Sequence, residues 1–290
     1  SSLVEDLGKT RTRLSRLVKN GILLGRERDR DKLLHQTLLS AREIANCERA
    51  VLFLRTESNT LTQVIATGVD APVIDDIPLF QADGKSNEKL AGPYAVLNGK
   101  TVVADDPWQA SEFNLSESQQ LSSLSGFHVR STLNVPMQSS EGKVIGMIQL
   151  MNALTPNSHL PTRFDPRLFG FLDALAAQAA VAIENRNLLE AQKSLMDALI
   201  QILAGAIDTK SPYTGGHCER VPELAMLLAE EAAKVNTGEL AAFGFKSEEE
   251  WREFRIGAWL HDCGKVTTPE YVVDKATKLE VIYNRIHEIR

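Results

Sequence analysis

His261 and Asp262 stand side by side, followed by Cys263, Gly264 and Lys265 and preceded by the apolar run Ile256-Gly257-Ala258-Trp259-Leu260. Together they offer a metal an imidazole nitrogen and a carboxylate oxygen, a donor pair suited to hydrolysis of a phosphate ester. A carboxylate can bridge two divalent ions while the neighbouring imidazole binds one of them, and a water held between the ions loses its proton near neutral pH to become the nucleophile. Lys265 supplies positive charge for a phosphate oxygen. A His-Asp pair alone is more often a surface or satisfied core feature, so the weight falls on its surroundings.

Those surroundings place the pair at the end of an apolar helix-like stretch, where Gly264 permits a tight backbone path and Pro269 limits the next segment. Upstream, Ser211-Pro212-Tyr213-Thr214-Gly215-Gly216-His217 is a turn-rich entry to a helix expected to start near Arg220. His217 therefore projects from a helix N-terminus toward the pair.

With Asp208, Lys210, Pro212-Tyr213-Thr214, Gly216-His217, Arg220-Val221, Leu260-His261-Asp262, Gly264-Lys265, Pro269, Lys275 and Lys278-Leu279 in this order, residues 197 to 290 resemble the first part of an HD-GYP domain, a subgroup of the HD phosphohydrolases. The resemblance implies a helical fold holding divalent ions, iron or manganese, and hydrolysis of cyclic di-GMP. It implies His217, His261 and Asp262 as metal ligands, Asp262 as the bridging one, Lys265 as a phosphate contact and His287 as the next ligand. Tyr213 stands where some members carry a Glu for a third metal, which implies two ions here. The family's further histidines and its GYP segment would follow Arg290, so the chain reads as ending inside its catalytic domain and as inactive by itself, the parent protein being the hydrolase.

The preceding region has a different texture. Ala50-Val51-Leu52-Phe53-Leu54, Leu61 to Ile65, Thr101-Val102-Val103, Ser131 to Met137 and Val144 to Asn152 predict strands, with Ser140-Glu141-Gly142-Lys143 a hairpin turn between the last two. Helices are predicted over about 31 to 46 and 165 to 207. Through Ser131-Thr132-Leu133-Asn134-Val135-Pro136-Met137, Gly146 to Asn152, Phe164 and Ala176 to Asn185, residues 30 to 187 resemble a GAF domain, a sensory α/β module with an antiparallel sheet. Asn152 is followed by Ala153, and Phe164 by Asp165-Pro166, so the motif of cyclic-nucleotide-binding members is broken and the ligand is unnamed. A pocket lid would lie between about 70 and 130, with Trp108, Phe113, Phe127 and His128 either lining the pocket or closing the sheet's exposed face.

Two helical segments complete the chain. Leu3, Leu7, Thr10, Leu14, Leu17, Gly21 and Leu24 follow steps of four and three, the spacing of a short dimerising helix or of one packed on its own domain. Leu172, Leu175, Ala179, Ala182, Ile183, Leu188, Leu195, Leu199 and Ile202 define a long helix, without Pro or Gly from Leu172 to Ala204, that either transmits a signal or acts as a passive dimer spine.

A length of 290 residues with 43% hydrophobic and 24% charged residues fits about two globular domains, and a net charge of −6 argues against a nucleic-acid polymer as partner. Cys47, Cys218 and Cys263 form no CxxC pair and suit a reducing cytoplasm. No uninterrupted apolar run of membrane-spanning length is evident. The fold class expected is α+β: an N-terminal helix over 1–30, a GAF-like antiparallel sheet flanked by helices over 31–187, a linker helix over 188–207 and a partial all-α HD-type domain over 208–290. The functional expectation is a cytoplasmic homodimer in which a GAF sensor, with or without a small-molecule ligand, regulates a two-metal phosphodiesterase acting on a cyclic dinucleotide. The alternatives are an HD hydrolase of another nucleotide and a non-catalytic sensor whose HD-like part binds a partner.

Overall fold

The computed structural model describes residues 21, 29–69, 73, 75–105, 113, 127–155, 158–208 and 216–273. Its contacts divide the chain into two compact units, Ser1–Leu188 and Leu189–Arg290. The apolar seam expected from Leu3 to Leu24 lies outside the described residues apart from Gly21, which is helical.

In the first unit, helix α1 (Arg30–Ala45) is followed by β1 (Cys47–Arg55), β2 (Thr60–Gly68), β3 (Ile77–Pro78), α2 (Ala91–Asn98), β4 (Val102–Asp105), β5 (Ser131–Gln138) and β6 (Val144–Ala153). The strands form one six-stranded sheet in the order β3-β2-β1-β6-β5-β4, and every neighbouring pair is antiparallel. The β5–β6 hairpin closes through Ser139 N bonded to the Lys143 carbonyl at 2.8 Å and Gly142 N bonded to the Ser139 carbonyl at 3.0 Å, with Gly142 at a positive φ.

Both faces of the sheet are covered, which is why β1 reads as a continuous apolar run and not as an alternation. Leu52, Leu133, Val135 and Leu150 pack with Leu34, Leu38 and Ala41 of α1 and with Leu172, Leu175, Ala179 and Ile183 of helix α3 (Phe169–Asp208). Val51, Phe53, Met147 and Met151 point the other way and pack with Leu61, Ile77, Leu79 and Val96. Helix α1 starts at Asp29, whose carboxylate accepts from the backbone N–H of Asp31 at 2.9 Å and of Lys32 at 3.3 Å, and stops at Asn46 in the left-handed region.

Asn152 pins the strand ends together. Its side-chain amide donates to Glu48 Oε2 at 2.7 Å and to the His128 carbonyl at 2.8 Å, while its Oδ1 accepts from Arg130 N at 2.6 Å and Ser131 N at 3.3 Å. The residue is buried with φ 58, a conformation Asn tolerates better than most side chains.

Sequence reading and structure part in one place within this unit. The region from about 70 to 130, expected as a variable connection, contains β3 and the helix α2. Gly92 and Pro93 masked that helix, yet Pro93 lies in its first turn, where the missing N–H costs nothing. A Cβ on Gly92 would meet the Met147 side chain at 2.8 Å, so glycine is what lets α2 lie close on the sheet. By length and composition alone, the stretch Pro166–Ile207 is long and apolar enough to cross a bilayer. Its first half is instead buried in the sheet's core at Leu172, Leu175, Ala176 and Ala179.

The second unit is helical among its described residues: the remainder of α3, α4 (His217–Ala233), α5 (Glu248–Trp259), a 3-10 turn at Cys263–Val266 and the one-turn α6 (Glu270–Val273). The Arg252 guanidinium donates to both Asp197 oxygens, at 2.5 and 3.4 Å, and so ties α5 to α3. Phe245 packs on Trp251 and Phe254 with ring centroids 4.6 and 5.1 Å apart, fixing the loop that enters α5. The Ser247 hydroxyl caps α5 by accepting from Glu250 N at 3.2 Å, and Glu248, Glu249 and Glu250 place negative charge at the helix's positive end.

Candidate metal centre

Three of the side chains singled out in the sequence come together in the second unit. His217 is the first residue of α4, which begins three residues earlier than the sequence suggested, because Gly216 adopts φ 72 and turns the chain directly into the helix. His261 and Asp262 follow the C-terminal end of α5, where Leu260 N still bonds to the Ile256 carbonyl at 3.0 Å and the chain then tightens into the 3-10 turn. Helices α4 and α5 pack on each other and bring the two histidines face to edge, with centroids 5.1 Å apart and an interplanar angle of 70°.

The donor atoms converge. His217 Nε2 and His261 Nε2 are 3.1 Å apart, and Asp262 Oδ2 lies 3.5 Å from the first and 3.3 Å from the second. An ion about 2.1 Å from each of three donors would separate them by roughly 3.0 Å in octahedral and 3.4 Å in tetrahedral geometry, so the spacing matches a single divalent ion seen from one side. His261 Nδ1 lies 2.7 Å from the Ala258 carbonyl, a contact in which Nδ1 donates and the lone pair of Nε2 faces the cluster. The side chains remain reachable from solvent, with Asp262 20% and His217 39% exposed.

Lys265 completes the cluster, but at the carboxylate. Its Nζ donates to Asp262 Oδ2 at 2.5 Å, one helical turn along the chain. Partial burial works to raise the Asp262 carboxyl, yet the hydrogen bond and charge of Lys265, then the fields of His261 and His217, hold it below its ordinary value of 3.8. The acid is thus kept ionised, as a metal ligand must be. His287, expected as a further ligand, lies outside the described residues, as do Tyr213, Lys275 and Lys278.

In the first unit, the residues expected at a pocket separate. Trp108 lies outside the described residues. Phe127 is buried in the core on the α2 face of the sheet, and His128 is exposed, its carbonyl taken by Asn152. Phe113 stacks edge-on against Tyr94 at 5.3 Å and lines an open cleft of about 790 Å³ with Lys85, Lys89, Thr101 and Val103. A second cleft of about 630 Å³ is lined by Arg30, Arg55, Lys143, Glu57 and Asn187. Sequence reasoning did not single out Asn134, which is fully buried: its Oδ1 accepts from Gln149 Nε2 at 3.0 Å, and its Nδ2 has no partner among the described residues. A polar amide between the apolar Leu133 and Val135 was the available signal.

Comparison with known proteins places the first unit. The GAF domain family matches residues 29–183, more than half of the chain. The 3'3'-cGAMP-specific phosphodiesterase 3 of Vibrio cholerae serotype O1 is 29% identical in an alignment of 132 residues that covers 40% of this chain and 26% of that protein, so the match spans about a quarter of the relative's length. Among solved structures, the GAF domain of an Acinetobacter phosphoenolpyruvate-protein phosphotransferase is 15% identical with a TM-score of 0.46, covering 61% of this chain and 95% of that one. A GAF domain/HD domain protein from Geobacter sulfurreducens is 14% identical with a TM-score of 0.41, covering 55% and 95%. With its curled antiparallel sheet and flanking helices, the chain belongs to the GAF domain family.

Proposed function

We propose that this is a signalling protein in which the GAF domain regulates a metal-dependent phosphodiesterase of the HD type, acting on a cyclic dinucleotide such as cyclic di-GMP. The observation that carries the reading is the convergence of His217 Nε2, His261 Nε2 and Asp262 Oδ2 within hydrogen-bonding distances of one another. The relative from Vibrio cholerae, named as a phosphodiesterase specific for 3'3'-cGAMP, supports the substrate class. Three free thiols, two of them buried, fit the cytoplasmic setting that belongs to this reading.

In this function His217 and His261 would hold a divalent ion through Nε2 and Asp262 through its carboxylate, with His287 as the ligand expected next. Two such ions, iron or manganese, would supply a water of lowered pKa and Lewis-acid stabilisation of the phosphoryl oxygens. Asp262, ionised by its surroundings, would attract the cations, and its Oδ2 lies 3.5 and 3.3 Å from the Nε2 atoms of His217 and His261. The Ala258 carbonyl orients His261. Lys265 balances the carboxylate's charge and stands beside the position a phosphate oxygen would take.

Turnover of cyclic di-GMP by the parent protein in the presence of manganese(II), compared with its Asp262→Asn variant, tests the proposal. Hydrolysis lost in the variant supports it. Hydrolysis that is unchanged by the substitution contradicts it.

A second reading draws on the 2.5 Å Lys265–Asp262 ion pair, which already neutralises the carboxylate. The cluster would then be a charge-paired structural knot in a sensor whose helical part binds a partner. Metal binding separates the two readings.

A further inference from the structure

The cleft of about 630 Å³ lies on the α1 and α3 face of the sheet, opposite the face that Leu79, Val96 and Phe127 cover. Its floor includes Leu54, Ile145 and Ile183, all part of the core on that side. Three cations rim it from three different elements: Arg30 at the start of α1, Arg55 at the end of β1 and Lys143 in the β5–β6 hairpin. None of the three has a carboxylate partner among the described residues. Glu57 is the one acidic side chain among the lining residues, so three cations less one carboxylate leave two positive charges, in a chain whose net charge is −6. A hollow lined by one sign of charge over apolar walls concentrates ions of the other sign.

Arg55 is already set for an anion. Its Nε and Nη2 donate to Asn59 Oδ1 at 3.1 and 2.6 Å. Asn59 is in turn fixed in the β1–β2 turn, its N–H donating to the Thr56 carbonyl at 3.1 Å and its carbonyl accepting from Leu79 N at 2.9 Å. One edge of the guanidinium is thereby held. The other edge, made by Nη1 and the second Nη2 hydrogen, has no protein acceptor among the described residues. Such an edge matches two oxygens of a phosphate, and its orientation costs nothing further on binding.

We infer that this cleft binds a small organic phosphate, its phosphate held by Arg55, Arg30 and Lys143 and its apolar body laid on Leu54, Ile145 and Ile183. Charge selects the head, because a phosphate monoester carries about −1.5 to −2 at neutral pH and so balances the lining. Size and floor select the body, since the volume falls within the ~300–1,000 Å³ of small-molecule sites and a bare anion would leave the apolar floor uncovered. A phospholipid surface fits less well: the cations rim a hollow, and Glu57 stands among them against a flat anionic sheet. Ile183 and Asn187 of α3 also line the cleft, just before the first unit ends at Leu188, so the bound phosphate would tie β1 and the hairpin to both helices.

Titration of the isotope-labelled full chain with phenyl phosphate, followed by amide chemical shifts in a buffer containing EDTA, tests the inference; the chelator keeps metal away from the His217, His261 and Asp262 cluster. Saturable shifts are expected at Arg55 to Asn59 and at Lys143, with binding weakened at least tenfold by Arg55→Gln and by Lys143→Gln. Lys85→Gln, in the other cleft, should leave it unchanged. Lys143 is an exposed hairpin residue, so its variant reports even where Arg55→Gln disturbs the turn. Shifts that do not saturate or fall elsewhere, equal weakening by Lys85→Gln, or benzoate binding as tightly as phenyl phosphate would each overturn the inference. So would capture by phosphatidic acid vesicles without saturable binding of phenyl phosphate.

Discussion

The two units solve the same burial problem differently. In Ser1–Leu188 a sheet is sealed on both faces, and the largest fully buried side chains among the described residues, such as Phe53 and Leu172, all belong to it. In Leu189–Arg290 large apolar residues such as Leu224, Leu227 and Leu228 stay more than half exposed, and burial among the described residues falls mainly on small groups such as Ala204, Cys218 and Ala229. A sheet sandwiched by helices completes its core with its own chain. Helices with several apolar faces complete theirs only by adding further helices. The GAF domain therefore completes its core with its own residues, whereas the helical unit leaves large apolar faces open among its described residues.

Core truncations should expose that difference most strongly. Leu150→Ala removes a fully buried side chain between sheet and helices and is expected to lower stability by about 2–5 kcal/mol in urea denaturation. Leu227→Ala, at 59% exposure, is expected to change it by less than about 0.5 kcal/mol. Equal losses at the two positions would break the contrast.

A smaller effect is expected at the clamp on the sheet ends. Asn152→Ala removes four hydrogen bonds and leaves a less tolerant residue at φ 58. The expected loss is roughly 2–3 kcal/mol, with the GAF transition shifted in thermal denaturation. Asn152→Gly, which restores the backbone freedom but not the bonds, should recover only part of it.

A further effect concerns pH. Burial pushes the Cys47 thiol up from 9.0 to about 12. The folded state thus keeps the thiol neutral while the unfolded chain ionises it, so stability is expected to fall as pH rises above 9, by up to about 1.4 kcal/mol per unit until the folded value is reached. Cys47→Ala should remove this component of the alkaline slope. In the native chain the exposed Cys263 should react with a thiol reagent well before the buried Cys47 and Cys218.

Much of the first unit was legible because its strands are long and apolar: the expected segments at 50–54, 61–65, 131–137 and 144–152 all fall inside observed strands. Elements decided by close approach were not legible. Helix α2 carries Gly92 and Pro93, which read as a loop until Met147 is seen against the glycine. Strand β3 is two residues long and exists only through its pairing with Thr60 and Leu61. At the candidate metal centre, residue types and order could be read from the sequence, whereas the start of α4 at His217 could not, because it is set by Gly216 at φ 72. The Lys265 ion pair to Asp262 could not, because a phosphate contact and a carboxylate partner ask for the same residue at the same spacing. The His261 orientation by the Ala258 carbonyl was equally hidden, since a backbone acceptor leaves no mark in the sequence.

The most direct test of the account is a calorimetric titration of the chain with manganese(II), repeated on His217→Ala, His261→Ala and Asp262→Ala. The account predicts saturable binding by the wild type and no measurable binding by any of the three variants, because the three donors sit 3.1 to 3.5 Å apart around one point. Absence of binding by the wild type, or binding that survives the loss of Asp262, would contradict it.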